Sequence, residues 1–573
     1  MDKISKKNQM IGKRIKQLRS EFDKFGIDGY VIPKNDEYFS EYSQKDRLRT
    51  ISNFTGSAGY AVILKNKNYL FVDGRYTIQA EIESGKKFKI IDHGKIINCQ
   101  IFKNLTLGID PRVFTSDQIK KFFNNNKIKK IQINLIDKIF NNYTLLSRPF
   151  FSLDKSIVGE SHLIKLKKIF KFLKKVRLNY LFISAPENVA WLLNIRGFDN
   201  PNSPIPNCRL LISDKKKIFL VAENNKLQKI ISDKKILKNQ VINPKNLENI
   251  INKFKKGKIL IDNKSCSIFY ENLFKKNLEI FRKEDPIYFL KSIKNKTEIK
   301  CMIDAHVLDG VALTKFLYWI KKVNKKKITE VEAQNKLENF RKKNLKYLFP
   351  SFNTIAGTGK NGAIVHYRAH KKNTKKINKK DIFLCDSGGQ YKFGTTDVTR
   401  TICFSKPKQN IKDIFTKVLK GHIAVATADL KKNFNGKLID VLARKSLKKS
   451  GLNYEHGTGH GVGFFLNVHE GPQAISKFNK VKIREGMVIS NEPGYYKRGK
   501  FGIRIENLVY VKKQNKKLFF ENLTLAPIEN DLINFNKLNK KEKNYLFKYH
   551  LDIYSKLSKF LSSNEKKWLI SLI

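Results

Sequence analysis

The sequence lacks any apolar run that approaches the roughly 18 residues a membrane-spanning helix needs. Its N-terminus also lacks the apolar stretch of a secretory signal. The six cysteines include no Cys-x-x-Cys pair, which argues against a disulfide framework or a zinc ribbon and favours reduced thiols. Together these absences predict a cytoplasmic protein without a membrane partner.

Acidic residues are scarce, with 51 Asp and Glu against 114 Lys and Arg, so the formal net charge is +63. Such an excess is typical of proteins that bind nucleic acid. The lysines, however, run from Lys3 to Lys567 and do not gather on one element, as expected if codon composition had drifted towards A and T. We therefore do not expect a dedicated nucleic-acid function. A non-catalytic, basic binding protein remains the alternative to an enzyme.

The chain of 573 residues is long enough for about three or four domains, and its first half uses one supersecondary plan twice. Each copy begins with an amphipathic helix, Ile11–Phe25 or Leu163–Val176, and continues into three apolar strands. The predicted strands are Gly29–Ile32, Tyr60–Leu64 and Tyr69–Val72, then Tyr180–Ile183, Arg209–Ser213 and Ile218–Val221. We therefore predict two tandem α/β domains, residues 1–155 and 156–288.

The third region, residues 289–573, carries most of the residues with catalytic chemistry. Apolar residues at helical spacing predict a helix from about Lys296 to Lys322. Strands and glycine turns follow, and the C-terminal end is again helical. We predict an α+β catalytic domain with a helical tail from about residue 516.

Two acidic residues lie in the strand-turn-strand segment that runs from residue 382 to residue 402. If this segment turns near Tyr391 and Lys392, Asp386 and Asp397 lie opposite each other, with their Cβ atoms about 5 Å apart. The segment therefore predicts a facing carboxylate pair.

A second strand-turn-strand segment repeats the arrangement. A turn centred on Gly499 places Glu492 opposite Glu506. Between the two segments lies a glycine-rich stretch that contains His460. The sequence therefore offers five candidate metal ligands, four carboxylates and one imidazole.

Four buried carboxylates repel one another unless they are protonated or neutralised, and two divalent cations balance them. Five ligands serve two ions only if some carboxylates bridge, which places the ions about 3.5–4 Å apart. Oxygen donors with one imidazole suit manganese or another small divalent ion. A hydroxide held between such ions is a nucleophile at neutral pH, which predicts hydrolysis of an acyl or a phosphoryl bond.

Seven motifs connect these residues to a known family. They are Asn361-Gly-Ala-Ile-Val-His-Tyr, Asp386-Ser-Gly-Gly-Gln-Tyr, Thr396-Asp-Val-Thr-Arg-Thr, His456-Gly-Thr-Gly-His-Gly-Val-Gly, Val468-His-Glu-Gly-Pro, Asn491-Glu-Pro-Gly-Tyr and Gly502-Ile-Arg-Ile-Glu-Asn. The set resembles the pita-bread metallopeptidases, and specifically the three-domain Xaa-Pro aminopeptidases. The resemblance covers nearly the whole chain. It implies two creatinase-like α/β domains followed by an α+β pita-bread catalytic domain.

The resemblance also implies roles for the five candidate ligands. Asp386 would chelate one manganese ion, Asp397 and Glu506 would bridge both ions, and His460 and Glu492 would complete the second ion. The expected cofactor is therefore a pair of divalent metal ions, with Mn²⁺ as the favoured identity.

Further residues match family positions around the substrate. His366 would assist proton transfer at the scissile bond, and His469 would stabilise the tetrahedral intermediate. His456 and Phe352 would line the pocket for the proline ring. Arg504 lies two residues before a predicted bridging carboxylate, so on a strand it shares that face and would orient the carboxylate.

The activity implied by the resemblance is removal of the residue that precedes a proline at a peptide's N-terminus. Arg75 matches an arginine that such enzymes extend from the first domain, from a neighbouring subunit, towards longer substrates. The expected partners are peptides with proline at position two and a second copy of the chain. A prolidase restricted to dipeptides uses the same ligands and stays an alternative, as does a non-catalytic basic binding protein.

Overall fold

The computed structural model describes residues 3–97, 100–141, 143, 147–254, 256–323, 328–371 and 374–573, with side chains from residue 9 onwards. Cys99 lies outside these residues, and the other five cysteines are free thiols. No helix within these ranges combines the length and the apolar character that crossing a bilayer requires. The chain forms two compact units, Met1–Lys155 with Glu160–Ile287 and Ser156–Gly159 with Tyr288–Ile573.

The first unit contains a six-stranded sheet with the order β4-β3-β2-β1-β5-β6. Its strands are β1 Gly29–Pro33, β2 Tyr60–Leu64, β3 Asn68–Val72, β4 Lys89–Asp92, β5 Thr106–Ile109 and β6 Lys127–Lys130. The helices of the same stretch are α1 Lys3–Arg19, α2 Arg47–Ser52, α3 Thr77–Ser84, α4 Ser116–Phe122 and α5 Leu135–Ile139. Helix α1 ends before the predicted Phe25, because residues 20–26 form successive tight turns that close at Gly26 with a φ of 48°.

A second six-stranded sheet follows, with the order β12-β11-β10-β8-β13-β14. Its strands are β8 Tyr180–Ile183, β10 Arg209–Ser213, β11 Ile218–Val221, β12 Val241–Ile242, β13 Lys258–Ile261 and β14 Glu279–Arg282, while β7 Phe151–Ser152 pairs with β9 Ile195–Arg196. The helices here are α6 Lys155–Val158, α7 His162–Val176, α8 Pro186–Leu193, α9 Gln228–Ser232, α10 Leu247–Ile251, α11 Ile268–Lys275 and α12 Pro286–Ser292.

The two sheets are topologically equivalent strand by strand. In each, the central strand, β1 or β8, pairs antiparallel with the next strand of the sheet along the chain, β2 or β10, and parallel with the strand on its other side, β5 or β13. The prediction of tandem α/β domains is therefore confirmed. Both sheets belong to one compact unit, so the bounds 1–155 and 156–288 stay a prediction.

The first long helix of the second unit is α13, Lys296–Lys322, whose bounds match the prediction. Asn295 and Glu298 form a reciprocal capping box there, which satisfies free N–H groups of the first turn. The remaining helices are α14 Glu330–Lys342, α15 Gln409–Ala426, α16 Gly436–Lys448, α17 Lys540–Leu557 and α18 Ser563–Ile570.

Thirteen strands of this unit form four small sheets, β15-β18-β19, β16-β17-β20, β22-β21-β23-β26-β27 and β24-β25. They are β15 Tyr347–Pro350, β16 Ile355–Thr358, β17 Phe383–Ser387, β18 Gly389–Tyr391, β19 Gly394–Thr395, β20 Val398–Ile402, β21 Gly459–Gly461, β22 Glu470–Ile475, β23 Val488–Asn491, β24 Gly494–Lys497, β25 Phe501–Arg504, β26 Asn507–Gln514 and β27 Lys517–Asn522.

The C-terminal segment differs from the helical tail predicted from about residue 516. Strand β27 pairs with β26 across a tight turn at Asn515 and Lys516, whose φ angles are 47° and 63°. Helix begins only at α17. There the buried His550 accepts a hydrogen bond from Ile528 N–H at 3.0 Å on Nε2 and lies 2.8 Å from the carbonyl of Leu572 on Nδ1. The neutral imidazole, with its proton on Nδ1, satisfies both backbone groups.

A buried ion cluster connects α12 and Lys294, two residues beyond its end, with β22. The carboxylate of Glu470 accepts from Lys291 Nζ at 3.0 Å and also from Lys294 Nζ. All three side chains are at most 3% exposed. Two cations on one carboxylate offset the cost of burying these charges only while all three are present.

Candidate metal centre

The turn of the first acidic hairpin lies one residue later than predicted, which shifts the strand pairing by two residues. Tyr391 pairs with Gly394, so the turn residues are Lys392 and Phe393. Asp386 therefore pairs with Thr399, and the prediction that it faces Asp397 is wrong. Asp397 precedes Thr399 by two residues, which keeps both acids on one face as diagonal neighbours.

The second hairpin has the predicted register. Gly494 pairs with Arg504 on one side of the acids, and Asn491 pairs with Asn507 on the other. Counting inward from either pair places Glu492 opposite Glu506. The turn closes at Gly499 with a φ of 70°, a conformation that glycine adopts without strain.

The histidine segment forms the short strand β21 beside the strand that leads to Glu492. A Cβ atom on Gly459 would lie 1.8 Å from the carbonyl oxygen of Ser490, so only glycine permits this approach. The backbone N–H of His460 donates to Ser490 Oγ at 2.9 Å, and that hydroxyl donates to Glu492 at 3.2 Å. Ser490 thus couples the imidazole strand to a carboxylate.

The imidazole of His460 points its Nε2 atom at the acids. Nε2 lies 3.5 Å from Asp397 and 3.6 Å from Glu492, while Nδ1 lies 2.9 Å from the carbonyl oxygen of Gly461. Burial disfavours the imidazolium, but the hydrogen bond to Asp397 and the charge of Glu492 outweigh it and raise the pKa of His460 to about 9. With a proton on Nδ1, Nε2 is available as a metal ligand.

Burial and mutual repulsion disfavour ionisation of the carboxyl groups. Burial, followed by repulsion from Asp397 and Glu492, raises the pKa of Asp386 to about 7, although Arg504 favours its ionised form. The pKa of Glu492 is raised by burial first and Asp397 next. The pKa of Glu506 rises well above its usual range for the same reasons.

The donor set fits a pair of divalent cations. Ligand atoms of Asp397, His460 and Glu506 all lie within 4.8 Å of one another. Asp386 Oδ1 is buried and accepts no hydrogen bond from any residue that the structure describes. Two divalent cations would neutralise the four carboxylates, of which Asp386, Glu492 and Glu506 have raised pKa values. Oxygen donors with one imidazole suit small divalent ions.

Family models match almost the entire chain. Metallopeptidase family M24 matches residues 300–513, and the C-terminal region of peptidase M24 matches residues 516–571. Creatinase/prolidase N-terminal domains match residues 14–138 and 142–298.

Close relatives match over nearly their full length. The probable Xaa-Pro aminopeptidase P of Laccaria bicolor is 35% identical over 97% of this chain and 92% of its own. The Xaa-Pro aminopeptidase 1 of Dictyostelium discoideum is 36% identical over 98% and 96%. The chain belongs to the Xaa-Pro aminopeptidase P family of M24 metallopeptidases. The predicted enzyme class and the predicted pita-bread fold with creatinase-like domains are confirmed.

Solved structures of related enzymes match this chain to different extents. X-prolyl aminopeptidase from Caenorhabditis elegans, described as a cytosolic enzyme with a di-nuclear active site, matches with a TM-score of 0.90 at 29% identity. The match covers 98% of this chain and 99% of that one. A prolidase from Pyrococcus furiosus has a TM-score of 0.51 at 27% identity and covers 62% of this chain and 98% of its own.

Arg504 contacts a different carboxylate from the one its sequence position suggests. Its Nη2 atom donates to Asp386, and its Nε atom donates to Thr399 Oγ1 at 3.0 Å. That hydroxyl in turn donates to Glu506 at 2.7 Å. The guanidinium therefore reaches the predicted bridging carboxylate through Thr399.

A tyrosine links this arginine to one of the predicted substrate histidines. Tyr496 OH accepts from Arg504 Nη1 at 2.6 Å and lies 2.9 Å from His456 Nε2. Because His456 Nδ1 is 2.8 Å from the carbonyl of Gly457, a proton on Nδ1 leaves Nε2 to accept from the tyrosine. These hydrogen bonds connect the carboxylate of Asp386, through Arg504 and Tyr496, to the imidazole of His456.

Two further predicted site residues, His469 and His366, lie near His460 and Arg504 respectively. The ring of His469 meets that of His460 edge-on, with centroids 4.4 Å apart. His366 follows Val365, whose carbonyl lies 3.5 Å from Arg504 Nη2. Both histidines are half-buried.

Two predicted substrate residues lack a described contact with the acids. Phe352 is buried in the connection between β15 and β16. Arg75 belongs to the first compact unit, where it pairs with Asp73 at 2.7 Å and lies over the ring of Tyr76. The role of each stays a prediction.

Sequence reasoning missed Thr399, Ser490 and Tyr496. Each lies an even number of residues from a predicted ligand, Thr399 two after Asp397 and Ser490 two before Glu492. Side chains at such positions share a strand face, so the alternation of the strands contained the signal.

Proposed function

We propose that this chain hydrolyses the bond between an N-terminal residue and a following proline. The observation that carries the proposal is the cluster of Asp397, His460 and Glu506, with Glu492 3.6 Å from the same imidazole, in a member of a family whose relatives are named for this activity. A non-catalytic descendant would have no reason to keep buried acids that resist ionisation.

In this proposal, Asp386, Asp397, His460, Glu492 and Glu506 would hold two divalent cations, with Mn²⁺ as the favoured identity. Ligand atoms of Asp397 and Glu506 lie within 4.8 Å of each other, and these two acids would be shared by both cations. When bound, the cation pair supplies a water nucleophile at neutral pH and polarises the scissile carbonyl.

The surrounding residues keep the ligands in the geometry that cations require. Arg504 neutralises part of the carboxylate charge and orients Asp386 directly and Glu506 through Thr399. The carbonyl of Gly461 fixes the tautomer of His460. Partners of this kind typically change metal affinity about 10- to 100-fold when they are removed.

Hydrolysis adds water across the amide, so one proton must reach the departing proline nitrogen. We assign His366 to this transfer. His469, edge-on to His460, is assigned to donate a hydrogen bond to the oxyanion that forms as the carbonyl carbon is attacked. The bond between the carbonyl carbon and the proline nitrogen then breaks, leaving a free amino acid and a peptide that begins with proline.

The preference for proline must come from ring shape and a fixed φ, because the scissile amide has no N–H to recognise. His456 and Phe352 are assigned to the walls of this pocket. The hydrogen bond from Tyr496 would keep the imidazole of His456 turned towards the acids. Arg75 is assigned to longer substrates and requires a separate test.

We further propose a cytoplasmic homodimer. The C. elegans enzyme is described as cytosolic, which supports the compartment. Light scattering coupled to size exclusion would test the dimer, and a monomer at micromolar concentration would refute it.

Coverage favours an aminopeptidase over a prolidase. The P. furiosus prolidase accounts for 62% of this chain, whereas the aminopeptidase from C. elegans accounts for 98%. A prolidase would release the first residue only from a dipeptide.

One assay separates these possibilities. The protein is incubated with Arg-Pro-Pro, Arg-Ala-Ala or the dipeptide Arg-Pro, each with Mn²⁺ or with chelator, and release of arginine is measured. We expect metal-dependent release from Arg-Pro-Pro and none from Arg-Ala-Ala. Release from the dipeptide alone would establish a prolidase, and equal release with chelator would reject the metallopeptidase mechanism.

A further inference from the structure

Arg400 is a buried cation that forms no direct ion pair with any described carboxylate. Its side chain is 3% exposed, and burial lowers its pKa. Two of its hydrogen bonds run to the catalytic strands, because Nη1 donates to the carbonyl oxygens of Thr399 at 2.7 Å and Glu506 at 2.6 Å. Nη2 donates to the side-chain oxygen of Asn507 at 2.8 Å. The guanidinium therefore binds the backbone of Glu506, a proposed metal ligand.

The remaining contacts of Arg400 run to the C-terminal segment. Nε donates to the carbonyl of Pro527 at 3.0 Å, and Nη2 donates to the carbonyl of Ala526 at 2.6 Å and to Tyr549 OH at 2.9 Å. All five N–H groups of the guanidinium thus have acceptors, which explains how an uncompensated cation is tolerated at this depth.

Tyr549 attaches helix α17 to the same arrangement. Its hydroxyl accepts from Arg400 and lies 2.9 Å from the carbonyl of Ala526 and 3.3 Å from Asn507 Oδ1, either of which it can donate to. The hydroxyl is buried, and the ring is 5% exposed. Helix α17 lies about 40 residues beyond Glu506 in sequence. Two hydrogen bonds, both formed by Arg400, therefore connect this helix to the backbone carbonyl of Glu506.

Glu506 is restrained on three sides by this arrangement. Its N–H donates to the carbonyl of Thr399 at 3.2 Å, and its carboxylate accepts from the Thr399 hydroxyl at 2.7 Å. The third restraint is the bond from Arg400 to its carbonyl oxygen. A ligand that bridges two ions tolerates little displacement, because it must satisfy both coordination spheres at once.

We propose that Arg400 and Tyr549 are positioning residues through which the C-terminal segment holds Glu506 in its metal-binding position. Neither side chain touches substrate or ligand atoms directly. The inference rests on the proposed metal site, and it assigns the C-terminal region a part in metal binding in addition to its packing.

The test compares Tyr549→Phe with Tyr545→Phe. Tyr545 lies on the same helix, and its ring is parallel to that of Tyr549. Its hydroxyl accepts a hydrogen bond from Asn522 and, among the described residues, forms none with Arg400. The affinity of the folded, metal-stripped protein for Mn²⁺ is measured by calorimetry at 25 °C. We expect Tyr549→Phe to weaken binding about fivefold, as the loss of one buried hydrogen bond predicts, and Tyr545→Phe to change it less than twofold.

Arg400→Lys provides a stronger perturbation, because lysine keeps the charge but cannot form the planar fork. We expect about a tenfold or greater loss of metal affinity in protein that keeps its far-ultraviolet circular dichroism. If this variant does not fold, the tyrosine pair decides the question alone.

Rescue separates positioning from a general loss of stability. With Tyr549→Phe, excess Mn²⁺ should restore kcat on a saturating peptide, whereas the Mn²⁺ concentration for half-activation should rise with the calorimetric constant. A lower melting temperature with unchanged Mn²⁺ affinity would overturn the inference and leave a purely structural role. If the native protein itself binds no Mn²⁺, the proposed function fails and not merely this inference.

Discussion

The Thr399 hydroxyl offers the sharpest test of how the metal centre is supported. It donates to Glu506 at 2.7 Å and accepts from Arg504 at 3.0 Å, and the side chain is fully buried. Thr399→Val keeps the volume of the side chain but removes both bonds. Threonine and valine are both β-branched, so the strand should not be disturbed.

The expected loss follows from the charge of Glu506 in each state. Without cations, burial and repulsion disfavour the ionised form of Glu506 and raise its pKa well above its usual range. Bound cations would favour the ionised form, and a hydroxyl donor stabilises that form more strongly, by about 1.5–3 kcal/mol for a hydrogen bond to a charge. Since 1.4 kcal/mol is a factor of ten, Mn²⁺ affinity should fall about 10- to 100-fold.

The assay is calorimetric titration of metal-stripped protein with Mn²⁺ at pH 7, followed by kcat at saturating metal. Thr401→Val is the matched control, because its hydroxyl bonds only to backbone groups of Arg504. If Thr399→Val binds Mn²⁺ within twofold of the native protein while the native protein binds tightly, the hydroxyl does not support Glu506 as argued.

Three other perturbations test separate parts of the structure. Asp397→Ala should abolish both turnover and Mn²⁺ content measured by elemental analysis, and retained activity without metal would contradict the proposed site. Burial lowers the pKa of His550 from 6.5 to about 4, so the folded protein resists protonation there. About 3 kcal/mol of stability, present above pH 6.5, should be lost as the pH falls towards 4, and His550→Gln should lack this loss in urea denaturation. If the native protein and His550→Gln lose the same stability between pH 6.5 and pH 4, this prediction is refuted. Glu470→Ala leaves two buried ammonium groups without a counter-ion, and should lower the free energy of unfolding by about 3–5 kcal/mol. A loss below 1 kcal/mol would mean that the lysines find another partner or become neutral.

The sequence by itself determined the elements whose signals are local. Helix α13 follows from apolar spacing and an adjacent capping box, and its predicted bounds match the structure. The tandem sheets follow from a supersecondary plan that occurs twice. The register that faces Glu492 with Glu506 follows from the turn at Gly499, because one turn fixes the register of every pair in a hairpin.

Tertiary structure alone decided the features that depend on residues distant in sequence. The turn predicted for the first hairpin is one residue too early, and the observed pairing of Asp386 with Thr399 appears only in the folded sheet. Thr399, which links Arg504 to Glu506, lies more than 100 residues before both of them in sequence. No rule based on residue spacing predicts a contact over that separation. Burial, which sets the protonation of the acids, is likewise a property of the packed molecule. Local sequence selects the elements and the candidate ligands, whereas charge and orientation at the site depend on which elements pack around it.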